Sequence, residues 1–357
     1  MLNNAGEMMA NLNRDELRII FEFLNGIDLY NASQVCRLWS EIAEEESKSR
    51  GSSCLMKQQS SPCLDSWESW KTQFIDCCQV KPSLHMFYCG IEYGKKLPEG
   101  CYCESLPPNC ISILVKHFFL WYTKTSISSI FFPEIPNLQT STITFNKHPW
   151  HKGIYCEELK CLFDNSLSNA DRLKTVFEPI INDDFPTSGC IIFIYDIATS
   201  CLSKLALSLQ NWFPNGKTSI LGLGLNELSI CNSNYNSHVC QHSADCVAIL
   251  LNGTDMQSWI LILENDSSYD EERMKEFKEK INLKKHTIGF GIHGYNSNYY
   301  FECPERDLFH KYFPNVPILQ LYGDEAMATN ELKGLYGNFS DIYDMMQKAA
   351  YMLLTYN

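Results

Sequence analysis

The sequence predicts an α+β protein: a small N-terminal unit of three helices, followed by a larger mixed α/β domain made of two related halves. Three observations carry that reading. Residues 12–45 place apolar side chains at helical spacing between capping residues. From residue 190 onward, short runs of aliphatic and β-branched residues alternate with amphipathic stretches. The segments "NWFPNGKTSILGLGLNE" and "KYFPNVPILQLYGDE" repeat one pattern: an aromatic-Phe-Pro-Asn turn, an Ile-Leu-x-Leu strand, then an amide or acid before Glu.

Composition sets the frame for these elements. Of 357 residues, 45% are hydrophobic and 13% aromatic, so the chain has the material for more than one core. Its 29 Lys and Arg face 42 Asp and Glu, a formal charge of −13, and no cationic run exceeds a pair. Phosphate backbones are held by clustered cations, so nucleic acid is not expected as a partner. The N-terminus lacks a basic segment followed by an apolar one, and the densest apolar run, "CISILVKHFFLWY", is too short to span a bilayer and contains Lys116. A cytoplasmic and nuclear location, without membrane contact, is the expectation. In that compartment the 17 cysteines are thiols rather than a disulfide framework. His238, Cys240, His242 and Cys246 match no zinc-knuckle spacing, so neither a metal nor a cofactor is expected.

The first helix opens at Asn13, whose side chain caps a turn with Glu16 at N3, and Leu17, Ile20, Phe21 and Leu24 line one face before Asn25-Gly26. Ile19 and Phe23 lie on the other side, so this helix is apolar on both faces. Asp28 is read as the cap of a short second helix through Leu29 and Ala32. In the third, Val35, Leu38, Trp39 and Ile42 fall at i, i+3, i+4 and i+7. A bundle of fewer than ~50 residues does not cover two-sided helices and an indole by itself. Another chain must supply the cover.

"NLNRDELRIIFEFLNGIDLYNASQVCRLWSEIAEE" resembles the F-box, through its leading Leu, acidic-Leu pair, "IF-x-FL", "DL" and "VCR-x-W". Asn13 stands where that family usually has Pro. The resemblance implies docking on a Skp-type adaptor, and through it on cullin and RING subunits. It implies Leu12, Leu17, Ile20, Phe21, Leu24, Leu29, Val35, Cys36, Trp39 and Ile42 as the contact or support set. Domain limits are then an F-box over 1–46, a linker of Ser, Lys and Gln over 47–66, and an α/β domain split into 67–265 and 266–357.

Within that domain strands fit 84–89, 111–120, 190–196, 219–224, 246–251, 259–264, 286–292 and 317–323. A Pro-rich connection is read around 133–149. Helices fit 200–212, 269–281, 304–312 and 340–354, the last through a stripe of Ile342, Met345, Met346, Ala349 and Leu353. Gly289, Gly291 and Gly294 spell G-x-G-x-x-G, but the next residues, "YNSNYYFE", read as turn and strand rather than the helix a pyrophosphate needs. The repeat places Asn226-Glu227 and Asp324-Glu325 just past the ends of equivalent strands, where α/β folds tend to open ligand clefts. Glu227, Asp324 and Glu325, with His293, are the candidate substrate or ligand cleft. No Ser, Cys or acid stands at triad spacing from His293, and no catalytic set is found.

"CIIFIYDIATSCLSKLALSLQNWFPNGKTSILGLG", "DCVAILLNG" and "HTIGFGIHGYNSNYYFECPERDLFHKYFPNVPILQLYGDEA" are together similar to the FIST sensory domain. Its usual Cys-x-x-Arg-Gly is replaced here by residues 294–298, "GYNSN", and its G-x-G-E-I turn by Gly323-Asp324-Glu325-Ala326. F-box plus FIST implies a non-catalytic receptor of a ubiquitin ligase, whose FIST domain binds a protein substrate. The alternative is a small-ligand-sensing FIST module that carries an F-box.

Overall fold

Asn13 and Glu16 form the capping pair that their spacing predicts. In the computed structural model, Asn13 Oδ1 accepts from the amides of Asp15 and Glu16, each at 2.9 Å, and Glu16 Oε2 accepts from the Asn13 amide at 2.9 Å. The described residues are 12–51, 53–59, 76, 78–92, 106, 110–119, 125–133, 138–145, 189–196, 218–225, 227–234, 237–241, 244, 246–253, 255–263, 267–294, 304–323, 325–329 and 349–357. Helix α1 (Arg14–Glu22) leads to α2 (Gly26–Ser33) and α3 (Arg37–Ser49). The cap of α2 is Asn25 rather than Asp28: Asn25 Oδ1 accepts from the Ile27 and Asp28 amides at 3.0 and 2.9 Å, and Asp28 supplies the reciprocal carboxylate. Extended backbone at Cys36 starts α3 one residue later, which leaves Val35 outside the helix and divides the expected four-residue stripe. Leu17, Phe21, Leu29, Ala32, Ile42 and Ala43 close a small core of their own.

Among the described residues, three sheets follow the helices. The strands are β1 (Ser53–Gln59), β2 (Pro82–Glu92), β3 (Ile111–Phe119), β4 (Thr125–Pro133), β5 (Leu138–Phe145), β6 (Gly189–Asp196), β7 (Thr218–Leu225), β8 (Glu227–Asn234), β9 (Ser237–Gln241), β10 (Cys246–Gly253), β11 (Gln257–Leu263), β12 (His286–Gly294), β13 (Ile318–Gly323), β14 (Glu325–Thr329) and β15 (Ala349–Tyr356). Helices α4 (Ser267–Lys280) and α5 (Pro304–Tyr312) accompany the last of the sheets. The orders are β1-β4-β2-β3-β8-β9, β14-β7-β6-β10-β5 and β11-β15-β12-β13.

One pairing pattern recurs in all three sheets. Each holds a parallel pair, β2–β3, β6–β7 or β12–β13, with an antiparallel strand on the first member: β4, β10 or β15. The repeated sequence motif falls on β7 and β13, the second members of two of these pairs, and β3, the second member of the third, is not preceded by Phe-Pro-Asn. After β7 the chain crosses into the first sheet as β8, and after β13 it crosses into the second as β14, over the expected division at 265/266.

The sheets turn their inner faces to one core, which takes Met86 and Ile130 from the first, Ile192 and Leu223 from the second, and Phe290 and Met352 from the third. Hydroxyls stitch the seams between sheets. Tyr88 Oη donates to Tyr322 O at 3.1 Å, Ser128 Oγ to Gln320 O at 2.9 Å, and Ser258 Oγ to Gly189 O at 3.1 Å. Buried backbone carbonyls where sheets meet are thereby given donors. Helices α4 and α5 cover the outer face of the third sheet through Phe277, Phe309 and Phe313 against Leu261, Tyr351 and Leu353.

Several expectations change. The C-terminal segment is not a helix: β15 lies between β11 and β12 with every residue from Ala349 to Tyr356 buried. A strand buried on both faces is apolar throughout, and its sequence then satisfies helical and extended periods alike. Residues 340–348, and the helix read at 200–212, lie outside the described residues. The stretch 47–66, read as a linker, contains the end of α3 and all of β1, which runs antiparallel to β4 from Ser53↔Phe131 to Gln59↔Thr125. The connection read at 133–149 contains β5, a Thr-rich strand paired with β10. The glycine triplet lies inside β12, where a Cβ on Gly291 would stand 2.7 Å from Gln320 Oε1.

Candidate functional site

The helical unit divides its apolar residues between two jobs. Leu17, Phe21, Leu29 and Ile42 of the expected contact set are turned into the bundle and buried. Leu12, Leu24 and Trp39 pack half-buried around them, with the Trp39 indole set edge-on to Phe21 at 5.4 Å between centroids. These residues hold the shape. Ile20, Val35 and Cys36 face outward, and beside them stand Ile19, Phe23 and Leu38, which that set omitted. Among the described residues, five of the seven exposed large hydrophobics are Ile19, Ile20, Phe23, Val35 and Leu38, so the exposed apolar side chains concentrate on this unit. Spacing already places the omitted pair on the second face of α1, Ile19 and Phe23 at i and i+4, and only the resemblance-based contact set leaves them out.

Charged pairs brace the unit. Arg18 Nη2 donates to Glu45 Oε2 at 2.7 Å and Arg14 pairs with the same carboxylate, which ties α1 to α3. The Arg18 hydrogen bond holds the Glu45 carboxyl below its ordinary value. Both partners are solvent-exposed, and such pairs contribute on the order of 0–1 kcal/mol.

Of the residues expected to form a cleft, Glu227 and His293 can be placed, and they take up separate roles. Glu227 opens β8 opposite Lys116 of β3, and Lys116 Nζ donates to Glu227 Oε2 at 3.1 Å. A carboxylate held by an ammonium is already partly neutralised. Glu325 opens β14 in register with Gly224, and a Cβ on Gly323 would stand 2.4 Å from Gly224 O, so the ends of β7 and β13 meet. Asp324 and the Glu325 side chain lie outside what is described. His293 is buried near the end of β12, with Nε2 donating to Gln320 Oε1 at 2.6 Å and the ring stacked on Tyr322 at 4.9 Å. It is a structured core histidine in this geometry. A second one is His85, fully buried with its ring nitrogens 3.2 Å from Ser112 Oγ and 2.7 Å from Ser129 Oγ; burial pushes its pKa down to about 3. Among the described residues no group of three His, Cys, Asp or Glu is arranged to hold a metal ion, and no helix is long and apolar enough to cross a membrane.

The family model described as F-box-like matches residues 16–48, and the three helices over residues 14–49 carry that match. No curated protein matches the chain. Among solved structures, the chain is similar to a cyanuric acid hydrolase from A. caulinodans, with 7% identity and a TM-score of 0.38 over 86% of this chain and 99% of that one. A likeness at that level says nothing about what this chain does.

Proposed function

We propose that the chain is the substrate-receptor subunit of a Skp-cullin-F-box ubiquitin ligase, with no chemistry of its own. The F-box-like domain fits a substrate-adaptor role in such complexes, and the observation that carries the reading is the exposure of five large apolar side chains on this one unit, Ile19, Ile20, Phe23, Val35 and Leu38. Exposed apolar side chains gathered on one small unit favour a protein partner over solvent. The partner fitted to these side chains is the Skp-type adaptor.

The sheet domain then presents a protein substrate, in the cytoplasm and nucleus, and catalysis is by proximity: holding substrate lysines near the charged ubiquitin carrier raises their effective concentration. Its assignment to the FIST class, as two related halves, rests on the strand motifs of the sequence. A second reading, a small-ligand sensor, is favoured by Gln320, which is fully buried beside His293 with Nε2 lacking a hydrogen-bond partner among the described residues.

Proximity labelling with the full chain and with Ile20→Asp separates the two. The receptor reading expects adaptor and cullin in the unsubstituted sample and their loss from the Ile20→Asp sample, while substrate candidates persist and accumulate. Recovery of adaptor unchanged by Ile20→Asp, combined with a thermal shift on adding free amino acids, favours the sensor.

A further inference from the structure

We propose that the helical unit and the sheet domain are one rigid body, locked by Arg50, so that the adaptor face is held at a fixed orientation to the domain that presents substrate. The consequence for ligase geometry rests on the receptor reading; the lock itself does not.

Arg50 comes directly after the last residue of α3, and its side chain is only 10% exposed. A guanidinium carries five N–H donors in a planar fork, and here each has an acceptor. Nε donates to Glu46 Oε1 at 2.7 Å. Nη1 donates to Leu24 O at 2.6 Å and to Gln79 O at 2.9 Å, and Nη2 donates to Phe21 O at 2.7 Å and Glu22 O at 3.2 Å. Three of these carbonyls lie at or just past the end of α1, where carbonyls run short of helical partners and carry the negative end of the helix dipole; Phe21 O also accepts from the Leu24 amide at 3.1 Å. The fourth, Gln79, belongs to the segment entering β2. One side chain therefore caps a helix of the adaptor-facing unit and holds the sheet domain at once. Lys has three donors on a point charge and does not reproduce the fork.

Independent contacts close the same seam. The Gly26 amide, at the start of α2, donates to Cys78 O at 2.5 Å, and a Cβ on Gly26 would stand 2.4 Å from the backbone N and C of Val80. Lys81 Nζ sits over the Tyr30 ring at 4.2 Å, and Lys285 Nζ, just before β12, donates to Lys48 O at 3.0 Å. Contacts from two separate stretches of the sheet domain, one before β2 and one before β12, leave no free hinge axis at residue 50. The pairing of β1 with β4 then continues the connection directly into the first sheet.

The test measures distance rather than activity. Spin labels introduced as non-natural amino acids at exposed Glu44 of α3 and Glu279 of α4, in the full chain, report the spread of separations between the two units by pulsed dipolar spectroscopy. The unsubstituted chain gives one narrow distribution. Arg50→Ala broadens it; because Arg50 also caps the end of α1 beside Phe23, the separation between the units and not adaptor affinity is the readout. Gly26→Ala, which pushes on Val80 without touching the guanidinium, broadens it in the same way and stands in if Arg50→Ala does not fold. A broad distribution in the unsubstituted chain, or a narrow one kept by a folded variant, overturns the proposal. Absence of adaptor binding to the unsubstituted chain would instead remove the receptor reading and leave the lock standing.

Discussion

Phe23 offers a clean separation of docking from folding. Its side chain is 84% exposed at the end of α1, whereas Phe21, two residues earlier, is fully buried against Trp39. Taking an aromatic side chain as ~200 Å², covering the exposed share of Phe23 removes ~170 Å² of apolar surface from water, a ceiling of ~4 kcal/mol at ~25 cal/mol per Å². Ordering costs at an interface reduce that, and truncating a well-packed aromatic anchor commonly costs ~2 kcal/mol, roughly 30-fold in affinity. Phe23→Ala should therefore weaken adaptor binding by roughly 30-fold while changing unfolding free energy by no more than ~0.5 kcal/mol, the usual range for surface positions. Phe21→Ala should do the reverse in order of cause: a loss of ~3–5 kcal/mol from the small helical core, with binding lost because the unit comes apart. Isothermal titration against purified adaptor, run beside urea unfolding of the same samples, reads both quantities. If Phe23→Ala binds within about twofold of the unsubstituted chain, the outward face is not the docking face and the reasoning fails.

Three further outcomes are expected. His85 has a folded pKa of about 3 against an ordinary value of 6.5, so the unfolded chain binds the extra proton between those limits; stability present above pH 6.5 falls as pH drops, by about 2 kcal/mol at pH 5. Replacing it by Gln, which keeps a hydrogen-bonding group for Ser112 and Ser129, should flatten that slope in urea titrations at pH 5 and pH 7, and an unchanged slope would assign the acid sensitivity elsewhere. Leu353 is fully buried in β15, so Leu353→Ala should cost ~3 kcal/mol by denaturant unfolding. A cost below ~1 kcal/mol would instead suit a helix surface. Glu227→Gln removes the partner of Lys116 at a half-exposed site, so stability should change by less than ~1 kcal/mol. Loss of labelled interactors from that variant would then report recognition, and their full retention would make the pair a strand-edge contact only.

Features that depend on neighbours within a few residues were legible before any folding was considered. Asn13 and Glu16 lie three apart and cap α1 as expected, and the spacing of Leu17, Ile20, Phe21 and Leu24 marked one apolar face, of which Leu17, Phe21 and Leu24 pack into the bundle while Ile20 stays exposed. Buried runs such as residues 190–196 and 246–251 announced themselves as strands by composition alone. Packing between distant segments settled the rest. The same apolar continuity left β15 ambiguous, because burial on both faces erases the period that distinguishes strand from helix. Polar β1 and β5 carry no apolar alternation, and they are strands only because β4 and β10 offer them backbone partners. Which of the F-box residues support and which contact was equally hidden, since a two-faced helix shows both faces in the sequence and only the packing of α3 against α1 covers one. Glu227 reads as a cleft-lining acid until Lys116, 111 residues away, comes opposite it. Arg50 reads as one more charge in a polar stretch until the chain returns Phe21, Glu22 and Leu24 on one side and Gln79 on the other. Local energies are written in local words; a hydrogen bond between distant segments exists only after the entropy of closing the loop between them has been overcome, and that balance is struck by the whole core at once.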